Sequence, residues 1–453
     1  MSEATGSRSE MSRLGEEAGA DKRREASGRK AAPKPEATRV AVWREVRGSF
    51  ERIGSIGSER GRARFRYDSA YGGEPISVRL PVRPEPFTLD ETAAFFAALT
   101  PEGKVGDDFL ELLRAEKGEY LPVLAELRDE SVGALLLSVG DDNVGQDPAY
   151  AEVPDGFFDD FSAHPTAVAL DTAGKTRLSL PGAMAKVGLY RDPVSRKWFL
   201  PHGSAPSNRI VKACNADLYP NETVNEALCL EAARLVGLPA AECELLPTDG
   251  QPLLSVTRFD RVTLEGCMVA GRPAYGRLHQ EDMMQASGLP DRYAPSEANY
   301  LSVITHLVNR ASANAFGDVM LAIEYTMFDY LVGNCDNHLK NYSLLHGPDW
   351  NTIELAPLYD VVNTTLYPHV YLEMGVPLCP SRRIADVTRG TMRDVVSACV
   401  KNPDLAMRAF DDLARRVPGA LVEARDLIAA RGFDSVRAVF DAAIGGVCRR
   451  ASI

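Results

Sequence analysis

The chain changes its hydrophobic period once, and this change limits the folds that it can adopt. From residue 39 to about residue 262, apolar residues come in short alternating runs such as Val40–Trp43, Ala63–Tyr67 and Ile76–Leu80, which predicts β-strands. Beyond about residue 278 they recur at helical spacing almost throughout. We therefore predict an α+β protein with two lobes, a β-rich lobe followed by an all-helical lobe.

Changes in composition divide the chain further. Residues 1–38 mix both charge signs with small residues and contain almost no large apolar ones, which predicts a disordered tail. We expect a small β-rich subdomain over 39–150, a second strand-rich lobe over 151–262 and a helical lobe over 263–453. The second lobe should hold five strands, near 186–190, 197–200, 209–213, 243–246 and 253–256, and one helix beginning near Thr223. Helical spacing predicts C-terminal helices over 297–313, 319–332, 391–398, 404–415, 418–430 and 434–444.

Composition argues against several kinds of protein. The net charge of −12 disfavours non-specific binding to nucleic acid, which needs surplus positive charge. We find neither a run of roughly 20 apolar residues nor an apolar signal-peptide core near the N-terminus. The eight cysteines are scattered, without a C-x-x-C pair, as is typical of a reducing compartment. We expect a cytoplasmic protein that does not enter membranes.

One polar segment carries the residue types of phosphoryl transfer. In Gly333–Asn341, Asp336 and Asn341 stand five positions apart (341 minus 336), the spacing of a protein-kinase catalytic loop. There the Asp accepts or orients the attacking hydroxyl, and the Asn oxygen is a suitable ligand for Mg²⁺. Lys340 could steady charge on the moving phosphoryl group. Asp360, which follows an apolar stretch, is the candidate for the second metal-binding carboxylate.

The strand-rich lobe contains candidates for the nucleotide contacts. Lys212 ends an apolar strand and Glu226 lies in the next helix, the order in which kinases place a phosphate-binding lysine and its glutamate. Gly182, Ala183 and Lys186 belong to a turn of small residues that could offer backbone N–H groups to phosphate. A plainer interpretation stays open, in which the Asp and Asn residues cap turns and Glu226 forms a capping box with Thr223.

Several motifs in order resemble the HipA-type toxin kinases, over roughly residues 39–450. The resemblance is carried by the stretches 129–134, 179–186, 209–212, 225–226, 258–261, 277–282, 333–341 and 355–360. It implies a two-lobed protein-kinase-like fold with an extra small β subdomain in the N-terminal lobe.

The resemblance also implies roles for individual residues. Asp336 would be catalytic, with Lys340 beside it, and Asn341 and Asp360 would hold Mg²⁺. The ATP contacts would come from Gly182, Ala183, Lys186, Lys212, Glu226, His338, Tyr359 and the hinge Thr257–Phe259, including Arg258. Ser179 matches the serine that such kinases autophosphorylate. Pro181, Met184 and Thr257 depart from the usual family residues.

The family further implies partners, and the residues leave alternatives. A small helix-turn-helix antitoxin of the HipB type would bind DNA for the complex, and the protein substrate would be a translation protein such as an aminoacyl-tRNA synthetase. A small-molecule or lipid kinase would share the Asp, Asn and Asp arrangement. A catalytically silent pseudokinase that acts as a co-repressor is the non-enzymatic alternative.

Overall fold

The computed structural model describes residues 39–453 except 60–61, 128–130, 140–143, 145–146, 178–179, 183, 296 and 368–371. The predicted tail over 1–38, and the predicted site residues Ser179 and Ala183, lie outside the described residues. Within the described part, no helix is both long and apolar enough to cross a bilayer.

The N-terminal subdomain, residues 39–139, is an antiparallel sheet with helices packed against it. Its strands, in the order β3-β2-β1-β4, are β1 (Val40–Val46), β2 (Ser49–Glu59), β3 (Arg62–Tyr67) and β4 (Leu135–Val139). Its helices are α1 (Leu89–Phe96), α2 (Gly103–Leu113) and α3 (Tyr120–Glu126). Its core is rich in aromatic residues, with Phe65, Phe87 and Phe96 all fully buried, and their burial stabilises the subdomain.

In this subdomain one predicted strand is absent and one observed strand was not predicted. Ile76–Leu80 is not a strand, because its backbone bonds to side chains: the Tyr67 hydroxyl accepts from Ile76 N and donates to Leu80 O. Strand β2 was not predicted, since its two glycines lower β propensity. Gly54 is nevertheless suited to the sheet, because a Cβ there would lie 2.3 Å from the carbonyl oxygen of Arg66.

The second lobe is a six-stranded sheet in the order β5-β7-β6-β8-β10-β9. The five predicted strands are present, and the sixth, at the sheet edge, was not predicted. The six strands are β5 (Ala149–Glu152), which was not predicted, β6 (Ala185–Arg191), β7 (Trp198–His202), β8 (Arg209–Ala213), β9 (Cys243–Leu246) and β10 (Leu253–Thr257). The helices here are α4 (Phe157–Ala163), α5 (Pro165–Thr176) and α6 (Glu222–Leu235). Helix α6 is the one predicted helix, and the prediction missed α4 and α5. Ten residues of α6 are buried, which fixes its position against the sheet.

The C-terminal lobe is mainly helical, as predicted, but it is not all-helical. A hairpin of β11 (Arg261–Val269) and β12 (Arg272–Arg277) leads into it, and β13 (Gln280–Asp282), β14 (Ser343–His346) and β15 (Ile353–Leu355) form a small sheet inside it. The helices are α7 (Met283–Ser287), α8 (Tyr300–Ala311), α9 (Ala315–Val332), α10 (Arg389–Ser397), α11 (Pro403–Ala430) and α12 (Ser435–Arg450). The hairpin was not predicted, and neither were the three strands of the small sheet, which have only three or four residues each and so show little of the period of two.

One long helix replaces two predicted ones. The segments 404–415 and 418–430 form a single helix, α11, with Pro418 inside it. Phe410, Leu413, Val417 and Leu421 are buried along one stripe, so the helix gains core contacts on both sides of the proline. These contacts offset the hydrogen bond that proline cannot make.

The N-terminal subdomain is tied to the rest by buried polar contacts. Arg277 Nη1 lies 2.7 Å from Glu45 Oε2, with both side chains 2% exposed. Asp260 accepts the amide of Gly133 at 2.8 Å, and Glu281 accepts the amide of Val78 at 2.9 Å. Leaving any of these groups unpaired would carry a desolvation cost, so the subdomain has a fixed place beside the two lobes.

Candidate functional site

The 333–341 loop is closed by its own side chains. Helix α9 ends at Val332 and is capped by Gly333, whose φ of +88° allows the chain to turn away. Asn334 donates from Nδ2 to Asp329 Oδ1 at 2.8 Å and accepts from the amide of Asp336 at 3.0 Å. Asn341 donates from Nδ2 to the carbonyl oxygen of Asp336 at 2.9 Å. This bond uses the nitrogen of the Asn341 amide, so the oxygen is left to act as a ligand.

Asp336 presents its carboxylate at the surface of this loop. The residue is exposed, whereas its neighbours Cys335 and Asn337 are buried. The hydroxyl of Tyr293 donates to Asp336 Oδ1. Burial, and then the charge of Asp336, raise the pKa of Tyr293 above its ordinary value, so the phenol remains a donor. Asp336 is thus open to a substrate hydroxyl and already holds a hydroxyl of the protein.

Lys212 connects two carboxylates at the centre of the site. From strand β8 its amine lies 2.6 Å from Glu226 Oε1 and 2.6 Å from Asp360 Oδ1. Burial alone would lower the pKa of Lys212, but Asp360 and Glu226 outweigh it and raise the pKa above its usual range. Burial would likewise raise the pKa of Asp360, but Lys212 and Lys186 hold it well below its usual range. The lysine is therefore cationic and Asp360 anionic at neutral pH.

The capping-box interpretation of Glu226 is wrong. The N-cap of α6 is Asn221, without a side-chain capping bond, and the hydroxyl of Thr223 donates to the carbonyl oxygen of Pro252 at 2.6 Å. The Glu226 side chain is fully buried on Lys212. A buried carboxylate needs such a partner, so the strand lysine and helix glutamate form the ion pair that their order in the sequence indicated.

Lys186 lies beside Lys212, because the two residues pair in the β6–β8 register. Its amine donates to the carbonyl oxygen of Pro181 at 2.8 Å. Gly182 adopts a φ of +112°, and a Cβ there would come within 2.4 Å of that amine. Burial lowers the pKa of Lys186, and Asp360 opposes this shift. Pro181 and Gly182 therefore lie against the amine of Lys186, which is close enough to Asp360 to interact with its charge.

The predicted hinge is largely occupied by internal bonds. The amides of Thr257 and Arg258 donate to the carbonyl oxygens of Glu242, at 2.7 Å, and Asn208, at 3.1 Å. The side chain of Arg258 is buried against Asp260, at 2.7 Å. A base contact from this segment would thus use carbonyl groups or the following amide, and Arg258 has a structural role. The ring of Phe259 lies 5.4 Å from that of Tyr359, which joins the hinge to the Asp360 segment.

Tyr359, Lys340 and His338 complete the surroundings of the loop. The Tyr359 hydroxyl donates to the carbonyl oxygen of Lys340 at 2.7 Å, so the Asp360 segment and the 333–341 loop are bonded directly. The Lys340 amine pairs with Glu102 of the N-terminal subdomain. His338 is 7% exposed, its Nδ1 has no hydrogen-bond partner among the described residues, and burial lowers its pKa. His338 is therefore a neutral ring at the edge of the site.

Sequence reasoning missed two residues, Tyr293 and Glu102. Neither stands in a motif, and each meets the loop only through the fold. Among the candidates that it named, Lys212, Glu226, Asp360 and Lys186 converge, and Asp336, His338, Lys340, Asn341 and Tyr359 share the adjoining loop and its bonds. The carboxylate of Asp360 and the amide oxygen of Asn341 are ligand types that suit a hard cation, and Lys212 and Lys186 carry positive charge that suits phosphates.

The sequence matches two known protein domains and is similar to several kinases. Residues 178–421 match the HipA-like C-terminal domain, and residues 44–138 match the HipA N-terminal domain. The chain is 32% identical over 358 residues to "Putative kinase Y4mE" of Sinorhizobium fredii, which covers 74% of this chain and 79% of that protein. It is 23% identical over 380 residues to the serine/threonine-protein kinase toxin HipA of Shewanella oneidensis, which covers 79% of this chain and 83% of that protein.

A solved structure shows the same fold. It is a complex of Shewanella oneidensis MR-1 HipA with HipB and its operator DNA, which aligns with a TM-score of 0.72 at 18% identity over 91% of this chain and 96% of that chain. The C-terminal domain match alone spans more than half of the 453 residues. The two domain matches, the kinase relatives and the shared fold agree, and the chain belongs to the HipA family.

Proposed function

We propose that the protein is an ATP- and Mg²⁺-dependent kinase that transfers the γ-phosphoryl group to a serine or threonine of a protein. The observation that carries the proposal is the position of Lys212, whose amine lies 2.6 Å from both Glu226 and Asp360. In kinases this strand lysine and helix glutamate must be paired before phosphates are held productively. Here the pair is formed, and the metal-binding candidate Asp360 is in contact with it.

The residues fit the cofactors that such a reaction needs. Asn341 and Asp360 would hold Mg²⁺, since amide and carboxylate oxygens are its preferred protein ligands. The side chain of Asp360 is 35% exposed, which leaves it accessible. When bound, the metal would neutralise charge on the phosphates. Lys212 and Lys186 would contact the phosphates, and Asp336 would accept the proton of the substrate hydroxyl that takes the place of the Tyr293 hydroxyl.

The cellular role that we propose is that of a toxin in a type II toxin–antitoxin module in the cytoplasm. The relative from Shewanella oneidensis is named a toxin, and the solved structure contains HipB and operator DNA. By analogy, a HipB-like helix-turn-helix antitoxin would bind this chain and supply the DNA contact. The net charge of −12 is consistent with DNA being bound by the partner. The substrate would be a translation protein, with an aminoacyl-tRNA synthetase as the first candidate.

Mass spectrometry of the purified protein after incubation with ATP and Mg²⁺ tests the proposal. We expect phosphate on the chain itself, with Ser179 as the predicted site, and none when EDTA replaces Mg²⁺. The EDTA sample controls for phosphate carried over from expression. ATP consumption with phosphate appearing only on added metabolites would favour the small-molecule kinase, and ATP binding without transfer to any acceptor would favour the pseudokinase.

A further inference from the structure

An acidic side chain of the N-terminal subdomain reaches the 333–341 loop. Glu102, the N-cap residue of α2, forms ion pairs with Lys340 of the loop and with Arg292. The Lys340 amine also lies 3.4 Å from the carbonyl oxygen of Ala98 in the same subdomain. We propose that Glu102 is a positioning residue for phosphate transfer, which holds the 333–341 loop in the geometry that Asp336 and Asn341 require. This inference rests on the proposed kinase function.

The low exposure of the Glu102–Lys340 ion pair explains why the negative charge of Glu102 matters. The side chains of Lys340, Glu102 and Arg292 are 8%, 26% and 32% exposed. An ammonium group this enclosed has lost most of its hydration and needs an anionic partner. Burial would raise the pKa of Glu102, but Lys340 and Arg292 outweigh it and lower the pKa below its ordinary value. Glu102 is therefore ionised at neutral pH and supplies that anion.

The contacts of Lys340 pass this constraint to the catalytic groups. Its carbonyl oxygen accepts the hydroxyl of Tyr359 at 2.7 Å, so the C-terminal lobe fixes the backbone while Glu102 fixes the side chain. Lys340 directly precedes Asn341, the candidate metal ligand. Without the charge of Glu102, the Lys340 side chain would lose its ion pair and the loop could shift.

The second partner, Arg292, adds an independent link to the same loop. Its carbonyl oxygen accepts the amide of Leu339 at 3.1 Å, and the next residue, Tyr293, donates to Asp336. Glu102 thus holds both the loop and the segment that lies over the catalytic carboxylate. The N-terminal subdomain would accordingly be part of the working kinase, in addition to any role in binding partners.

Substitution Glu102→Gln tests the inference, because it removes the charge and keeps the shape. We expect the rate of phosphate transfer from labelled ATP to the full-length chain to fall by about 10- to 100-fold, the cost of a slightly misplaced catalytic group. The KM for ATP should stay unchanged, and the thermal midpoint should fall, because the enclosed Lys340 ammonium loses its anionic partner. Asp349→Asn is the matched control. It breaks another ion pair between the C-terminal lobe and the N-terminal subdomain, that of Asp349 with Arg47, and this pair shares no residue with the site. The control should transfer phosphate at the wild-type rate.

Two further measurements separate positioning from general destabilisation. In the double variant Glu102→Gln/Lys340→Met the losses of rate should be less than additive, because both changes remove the Glu102–Lys340 pair and only the link through Arg292 is lost in addition. Additive losses would contradict the inference. Hydrogen–deuterium exchange at the Leu339 amide should be faster in Glu102→Gln than in the wild type and in Asp349→Asn.

The exchange measurement does not depend on activity, so the two proposals can fail separately. If the wild type transfers no phosphate while Glu102→Gln loosens the loop, the kinase proposal fails and the positioning contact stands. If Glu102→Gln transfers and exchanges like the wild type, the inference about Glu102 is wrong and the kinase proposal is unaffected.

Discussion

Asp336→Asn should lower the rate of phosphate transfer by about 10²- to 10⁴-fold, the contribution that a positioned general base typically makes. The substitution keeps the size of the side chain and an oxygen that can accept the Tyr293 hydroxyl, so the loop should keep its shape. The amide cannot accept the proton of a substrate hydroxyl. Calorimetric titration with ATP and Mg²⁺ should give the wild-type affinity, because Asp336 is not among the proposed metal or phosphate contacts.

A matched control for this variant is Asp394→Asn, which changes an exposed carboxylate on helix α10. It should leave the transfer rate unchanged. Transfer by Asp336→Asn at a rate close to that of the wild type would exclude Asp336 as the base and would move attention to another group near the acceptor hydroxyl.

Asp360→Asn should have a comparable effect by a different route. It removes the charge of the proposed metal ligand, which is also one of the two carboxylates that neutralise Lys212. We expect the transfer rate to fall by about 10²- to 10³-fold, as when one preorganised electrostatic contact is lost. The Mg²⁺ concentration that gives half-maximal rate should rise, whereas it should stay unchanged in Asp336→Asn.

Titrating Mg²⁺ at saturating ATP therefore distinguishes the two carboxylates. A parallel response of both variants to Mg²⁺ would contradict the assignment of Asp360 to the metal and Asp336 to the hydroxyl. Because Lys212 keeps its bond to Glu226 in the Asp360 variant, we expect the fold to persist, which circular dichroism would check.

Local patterns predicted the elements whose period is long enough to read. The five predicted strands of the second lobe follow from short alternating or apolar runs, and helices α6 and α9 follow from helical spacing over several turns. Prediction from local patterns fails where distant side chains fix the backbone, as at Ile76–Leu80. It also fails where a helix continues through Pro418 because its stripe of core contacts continues. Such tertiary effects override local propensity.

In the candidate site too, some residues could be identified from local sequence and others only from tertiary contacts. Asp336 and Asn341 could be named from their spacing, since both lie in one loop that closes on itself. The choice between a cap and an ion pair for Glu226 could not be made locally, because it depends on Lys212 in another element. Glu102 could not be found at all from the sequence, because it lies 238 positions from Lys340 and reaches it only when the N-terminal subdomain packs against the loop.

A crystal structure with Mg²⁺ and a non-hydrolysable ATP analogue would test the central claim most directly, namely that these residues form one ATP and Mg²⁺ site. We expect a metal ion at about 2.0–2.1 Å from the side-chain oxygens of Asn341 and Asp360, and the phosphates within hydrogen-bonding distance of Lys212. The terminal phosphate should face Asp336. A nucleotide bound elsewhere, or one bound here with no metal on Asn341 and Asp360, would contradict the account.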